Sequence, residues 1–217
     1  MKNKKILLLV FGAMLVTMAF VSYYYWYQTT HYVTTEDARV DTQIVKITPQ
    51  VAGKILEIPI EEGELLKQND IVARLSDAFL SPGANLDLTI LRSPITGTVL
   101  KKIQNTEEMA AVGQPLALMA DLNAVYITAN IEETELSKVH PGQIVDFTID
   151  AVPNSRFQGY VESIGEGTNS SFSSLSASTS GTFTKVTQRI PVKIAIQDLQ
   201  GKNLLPGMNA VIKIHLK

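Results

Sequence analysis

The residues of this chain that could do chemistry are its histidines and its acidic pairs, and their spacing does not favour a reactive site. The three histidines, His31, His140 and His215, lie far apart, and the chain has no cysteine to complete a zinc site with them. The acidic pairs Glu61-Glu62 and Glu132-Glu133 are typical of solvated turns rather than of catalytic dyads. Nothing resembles an activated nucleophile with its base. The sequence therefore predicts no metal, no cofactor and no enzyme.

Phosphate-binding signals are weak as well. The segment GEGTNSS at residues 165–171 lacks the Gly-Lys-Ser/Thr ending of a nucleotide-binding loop. Apart from three lysines in the first five residues, the chain carries a net charge of about −5 and has no basic stripe. We therefore expect neither a nucleotide site nor a nucleic acid partner.

An uncharged apolar stretch covers residues 6–26. As an α-helix it would be roughly 31 Å long, which matches the hydrocarbon core of a bilayer. It ends in the aromatic run YYYWY at residues 23–27, as at a membrane interface, and lacks the small residues of a signal-peptide cleavage site. A core helix would need a polar face, which is missing. We predict a transmembrane anchor over residues 6–27 in contact with membrane lipid, with a cleaved signal peptide as the alternative.

The flanking charges predict an orientation for this anchor. Lysines at positions 2, 4 and 5 precede it, and the first acidic residue is Glu36. By the positive-inside rule, residues 1–5 lie in the cytoplasm and the C-terminal body lies outside. The expected location is the cell membrane, with a single pass.

Two segments, residues 49–77 and 93–121, resemble each other when the chain is shifted by 44 positions. Their apolar matches alternate as in half-buried strands, and asparagine tolerates the left-handed backbone of a tight turn. We predict that each segment is a small β-motif and that the two pack face to face as one flattened sandwich over residues 48–122. The matched pairs that we expect at structural turns are Gly53 with Gly97 and Asn69 with Gly113.

The join between the two segments, residues 76–89, is short and contains the turn signal Pro82-Gly83. Fourteen residues cannot build two helices of useful length. After Leu122 the pattern is again that of β-strands, interrupted by a Ser-rich loop at 165–184. Phe172 and Leu175 in this loop either anchor it to the β-structure or form a docking surface for a partner.

The two similar segments resemble the half-motifs of a biotinyl/lipoyl domain, on the strength of PQVAGKILEIPIEEGELLKQNDIVARL and LRSPITGTVLKKIQNTEEMAAVGQPLALM. Carrier domains of this type hold their cofactor on a lysine between the halves. Here Asp77 is followed by Ala78, and no lysine occurs from Gln68 to Leu100. A cofactor arm therefore has no attachment point.

The chain from about Thr35 onward resembles the EmrA-like branch of the HlyD-type membrane fusion proteins. The motifs that carry this resemblance, in chain order, are TEDARV with ITPQVAG, VYITANIEETELSKVHPGQIVDFTID, GTFTKVTQRIPVKI and LLPGMNAVIKI. The resemblance implies a mainly β fold with an N-terminal transmembrane helix, a linker or strand at 28–47, a lipoyl-like sandwich and a β-barrel over residues 123–217.

The same resemblance implies an efflux adaptor that works with a proton-driven exporter of the major facilitator superfamily and forms a homo-oligomer. Family members usually insert a long helical hairpin between the lipoyl halves to reach an outer-membrane channel. The short join predicts that this contact is missing. The alternatives are an adaptor of an ATP-driven exporter and an envelope scaffold without a transport role.

Overall fold

The computed structural model describes residues 2–79, 83, 85–167 and 187–216, and they form a mainly β structure. In chain order the elements are helix α1 (Lys2–His31), strands β1 (Tyr32–Asp41), β2 (Ile44–Ile47), β3 (Gly53–Glu57), β4 (Leu65–Leu66) and β5 (Ile71–Leu75), the 3₁₀ turns Asp77–Phe79 and Leu86–Thr89, strands β6 (Ile90–Arg92), β7 (Gly97–Lys102), β8 (Met109–Ala110), β9 (Ala117–Ala120) and β10 (Tyr126–Glu132), helix α2 (Glu133–Leu136), and strands β11 (Ile144–Ile149), β12 (Phe157–Ile164), β13 (Arg189–Ile196) and β14 (Asn209–His215).

The chain divides into two compact units. One falls within residues 1–39, 127–201 and 208–217, and the other comprises residues 40–126 and 202–207. The boundaries predicted from the sequence, at 47/48 between the linker and the sandwich and at 122/123 between the sandwich and the barrel, are different. The difference arises mainly from β1, which belongs to the first unit although it precedes the second in the chain.

The first unit contains a closed barrel with the strand order β1-β10-β13-β12-β11-β14. Its strands alternate between buried apolar and exposed polar positions, as in β11, where Val145, Phe147 and Ile149 point inward. The rings of Phe147 and Phe157 stack inside with centroids 5.5 Å apart. Burying each such side chain contributes about 1.5–3 kcal/mol, so the inward apolar positions stabilise a barrel that closes through the pairing of β1 with β14.

The second unit is a sandwich of two four-stranded sheets, ordered β2-β9-β7-β4 and β6-β5-β3-β8. As expected of two facing segments, β3 and β5 lie in one sheet and β7 and β9 in the other, but β4 and β8 each join the sheet of the other segment, which the prediction did not include. The strands of each segment alternate between the two sheets. Neither sheet is complete without the other segment.

Hydrogen bonds that join the two segments within each sheet repeat with the same 44-residue shift. The N–H of Ile55 donates to the carbonyl of Glu108 at 2.9 Å, and the N–H of Val99 donates to the carbonyl of Glu64 at 2.9 Å. Ile55 and Val99 are both buried in the common core. The sequence similarity thus corresponds to a two-fold structural repeat.

Helix α1 carries exposed side chains at every position from 10 to 27. No helix in the described part of the chain combines the length and the apolar character that a membrane span requires. The transmembrane anchor predicted for residues 6–27 is therefore not supported by the structure.

Candidate functional site

Gly53 and Gly97 are the first residues of β3 and β7, whereas sequence analysis had assigned them to turns. An added Cβ would lie 2.9 Å from the carbonyl oxygen of Ser76 at Gly53, and 2.6 Å from that of Ala120 at Gly97. Both contacts are with backbone, which cannot swing aside as a side chain can. Close approach of neighbouring strands is therefore what requires glycine at these two positions.

The turns that follow show a second matched pair. Asn69 has φ 74° and Gly113 has φ 85°, both in the left-handed region, which glycine and asparagine adopt at the lowest cost. A further pair, Gly63 at φ 88° and Glu107 at φ 75°, was not found from the sequence. Glutamate is an uncommon residue for such a backbone, so nothing in its type signals this turn.

The join between the segments consists of short turns in the part that the structure describes. Gly83 has φ 88°, and Pro82 lies outside the described residues. After Gly83 in the chain, the side chain of Asn85 accepts a hydrogen bond of 2.9 Å from the N–H of Asp87 and caps the turn Leu86–Thr89. Two 3₁₀ turns thus occupy the place where a helical hairpin would leave and return.

Reactive clusters were not expected. No group of three or more histidine, cysteine or acidic side chains within the described ranges is placed to hold a metal ion. Phe172 and Leu175, the candidate loop anchors or docking residues, lie outside the described residues. Partner-binding surfaces are therefore the remaining candidates for a functional site.

A polar cluster on the outer face of the barrel brings together residues from β1, β11, β12 and β14. The imidazole Nε2 of His215 lies 2.6 Å from Oδ2 of Asp146, and Nε2 of Gln158 donates to Oδ1 at 3.0 Å. The ammonium group of Lys213 lies 3.7 Å from the ring centroid of Tyr32. That ring also meets His215 edge-on, with centroids 5.1 Å apart.

Opposing effects act on the Asp146 carboxylate. Partial burial tends to raise its pKa, but the hydrogen bonds from His215 and Gln158 and the nearby charges of His215 and Lys213 favour the ionised form. The net result is a pKa below the ordinary value of 3.8. Asp146 is therefore ionised at neutral pH and acts as a fixed acceptor.

An open groove of about 790 Å³ runs along the same face of the barrel. Its walls expose apolar as well as polar atoms and hold no reactive pair, so the groove could bind an amphipathic segment of a partner. The residues that line it are Thr34, Asp146, Phe147, Thr148, Arg156, Gln158, Gln197, Asp198, Gln200, Val211, Ile212 and Lys213.

The C-terminal end of α1 is fastened to the barrel. The N–H of Leu216, just after β14, donates to the carbonyl of His31 at 2.8 Å. The rings of Tyr27 and His31 stack with centroids 4.2 Å apart. Beside them is a cavity of about 640 Å³, lined by Thr30, Lys138, His140, Pro141, Gln143 and Leu216.

The polar cluster around Asp146 and His215 was not predicted from the sequence, because its members come from strands that are distant in the chain. The alternation of β11 indicates that Asp146 points outward, but no local pattern indicates that His215 lies near it. Only the register of β11 with β14, in which Asp146 faces Lys213, brings them together.

Comparison with known proteins identifies related chains. Residues 124–215 match the family of AAEA-like beta-barrel domains. The chain is 38% identical over 189 residues to YhbJ of Bacillus subtilis, which is described as an efflux system component. This match covers 86% of this chain and 81% of YhbJ. The chain is 32% identical over 163 residues to the multidrug export protein EmrA of Haemophilus influenzae, covering 73% of this chain but only 40% of that protein.

The solved structure of the periplasmic adaptor protein EmrA has the same fold, with a TM-score of 0.56 at 14% identity, and the match covers 86% of this chain and 99% of that one. The fold match and the similarity to YhbJ over most of both chains point to the same family. The chain belongs to the EmrA-type membrane fusion proteins, the non-enzymatic adaptors of efflux systems, and is a short form close to YhbJ.

Proposed function

We propose that this chain is the adaptor of a proton-driven multidrug exporter of the major facilitator superfamily. The resemblance to the EmrA-like branch and the names of its relatives support this partner. The observation that carries the proposal is a complete lipoyl-like sandwich closed by a short join. Its described residues present binding surfaces, and on this proposal the energy for transport is supplied by the exporter.

We further propose that the body lies on the outer side of the cell membrane as a homo-oligomer and that α1 attaches it to lipid. The apolar side chains exposed along α1, such as Phe11, Leu15 and Phe20, would otherwise face water. Three lysines at the start of the chain support placing its N-terminus on the cytoplasmic side.

Deleting the gene and measuring drug accumulation tests the transport role. Accumulation should rise in the deletion strain and return to the starting level when the gene is restored. Dissipating the proton gradient with an ionophore should abolish the difference between the strains while cellular ATP is kept constant. Unchanged accumulation would instead support an envelope scaffold, and insensitivity to the ionophore would support an ATP-driven partner.

The short join supports a further part of the proposal, that no outer-membrane channel is contacted. A flexible Gly/Ser insert after Gly83 should leave efflux and folding unchanged, since each doubling of loop length costs only about 0.6 kcal/mol. An insertion variant that folds and reaches the membrane but exports no drug would contradict this, because the tip would then be a contact surface.

A further inference from the structure

Two large apolar side chains lie side by side on the outside of the barrel. Ile144 of β11 and Tyr160 of β12 are direct partners in their antiparallel ladder. Their exposed fractions are 54% and 42%. A neighbouring pair of this kind at outward positions is unusual, because the other outward residues of β11 are the polar Asp146 and Thr148.

This pair continues into a row across the barrel. Val145 is opposite Ile214 in the ladder between β11 and β14, which places His215 beside Ile144 on the outer face. His215 in turn is opposite Tyr32 of β1. We call these four residues, Tyr32, Ile144, Tyr160 and His215, the collar.

The collar is continuous with the apolar surface of α1. Tyr32 directly follows the helix, and its ring lies 6.4 Å from that of Tyr27. The hydrogen bond from Leu216 to His31 fixes β14 against the last helical turn. A surface that covers α1 would therefore reach the collar next.

Lysine and histidine side chains accompany the collar at this end of the barrel. Lys213 sits over the ring of Tyr32, and Lys138 and His140 line the cavity beside α1. Two acidic side chains at this end form pairs with members of the same set, Asp146 with His215 and Glu135 with Lys138, which leaves Lys213 as the cation at the ring of Tyr32. Tyrosine, histidine and lysine combine an apolar body with a polar tip, which suits the boundary between acyl chains and headgroups.

We infer that the collar rests in the headgroup region of the lipid bilayer and so holds the barrel against the membrane surface. This inference rests on the proposed attachment of α1 to lipid. It adds that the barrel itself contacts the bilayer through a defined row of side chains and is not attached to the membrane by α1 alone.

Fluorescence quenching in vesicles tests the inference on the full chain. Because the chain has no cysteine, Ile144→Cys and Thr148→Cys can each carry one environment-sensitive fluorophore. Thr148 is the matched control, since it lies on the same strand and face about 13 Å further from α1. The vesicles contain phosphatidylcholine and phosphatidylglycerol, some of it with a nitroxide near the headgroup. We expect quenching at position 144 to exceed that at 148 several-fold.

Flotation of the same samples separates the two proposals. If the chain does not float with the vesicles, the attachment by α1 fails. If it floats but positions 144 and 148 are quenched equally, only the collar inference is overturned. A blue-shifted signal at 144 that lipid nitroxides leave unquenched would also overturn it, because a second copy or another protein would then cover the collar. Tyr160→Cys should behave like Ile144→Cys.

Discussion

A single methyl group added at Gly97 should destabilise the sandwich. The new Cβ would lie 2.6 Å from the carbonyl oxygen of Ala120, so β7 and β9 would have to separate. We expect Gly97→Ala to lower the free energy of unfolding by about 1–3 kcal/mol, and Gly53→Ala, with its contact of 2.9 Å, by less. Thermal or urea unfolding measures both. Gly12→Ala is the control, because its Cβ meets nothing within 4 Å. Equal stability of all three variants would contradict the close approach.

The Asp146 carboxylate should contribute to stability in a pH-dependent way. Its pKa is lower in the folded chain than the ordinary value, so its contribution is present above about pH 4 and is lost as the pH falls through the folded pKa. Asp146→Asn should therefore reduce stability at pH 6, by less than about 1 kcal/mol because the pair is exposed, and the difference should vanish once the pH is below the folded pKa. Urea titrations at several pH values measure it. Asp150→Asn, in the turn after the same strand, serves as control. A constant difference across this range would rule out the ion pair as its source.

At the residue scale, the sequence predicted structurally constrained backbone positions where the residue type is unusual for its surroundings. The matched glycines and Asn69 stand out in this way, although the reason at Gly53 is close approach and not a turn. The contact between Asp146 and His215 could not be predicted, because it depends on strands 69 residues apart that meet through register alone. Glu107 likewise gives no sign of its left-handed backbone.

At the scale of elements, the repeat predicted two similar motifs but not how their strands pair. Alternation of apolar residues defines which face of a strand is buried, and it does not define the neighbouring strand. β4 of the first segment pairs with β7 of the second, and β8 pairs with β3, so each sheet depends on both segments. This exchange explains how segments too small to bury an apolar face alone form one core.

The exchange predicts that neither half of the sandwich folds alone. Fragments 40–79 and 85–126 should each lack dispersed amide signals in NMR spectra, and mixing them should restore the pattern of the continuous 40–126 chain. A mixture whose second fragment carries Val99→Asp should fail, because Val99 is buried in the shared core and an unpaired charge there is costly. A folded fragment in isolation would contradict the pairing.

At the scale of the molecule, the buried cores begin after the first helix. The first buried apolar residue of the described chain is Val33, in β1, while α1 exposes its side chains from 10 to 27. Helix formation at the N-terminus could be predicted from the apolar stretch. What surrounds that helix could not, because its burial depends on molecules outside the chain.

Removing α1 should therefore separate attachment from folding. A chain that starts at residue 28 keeps every described buried residue, so its melting temperature should match that of the full chain to within a few degrees. It should not float with lipid vesicles, and cells that produce it should accumulate drug like the deletion strain. Apolar side chains surround α1 without a distinctive face, so we expect an unrelated apolar helix of equal length to restore both flotation and efflux. If the replaced helix restores flotation but not efflux, α1 must recognise the exporter through its own side chains, and attachment to lipid would not be its whole role.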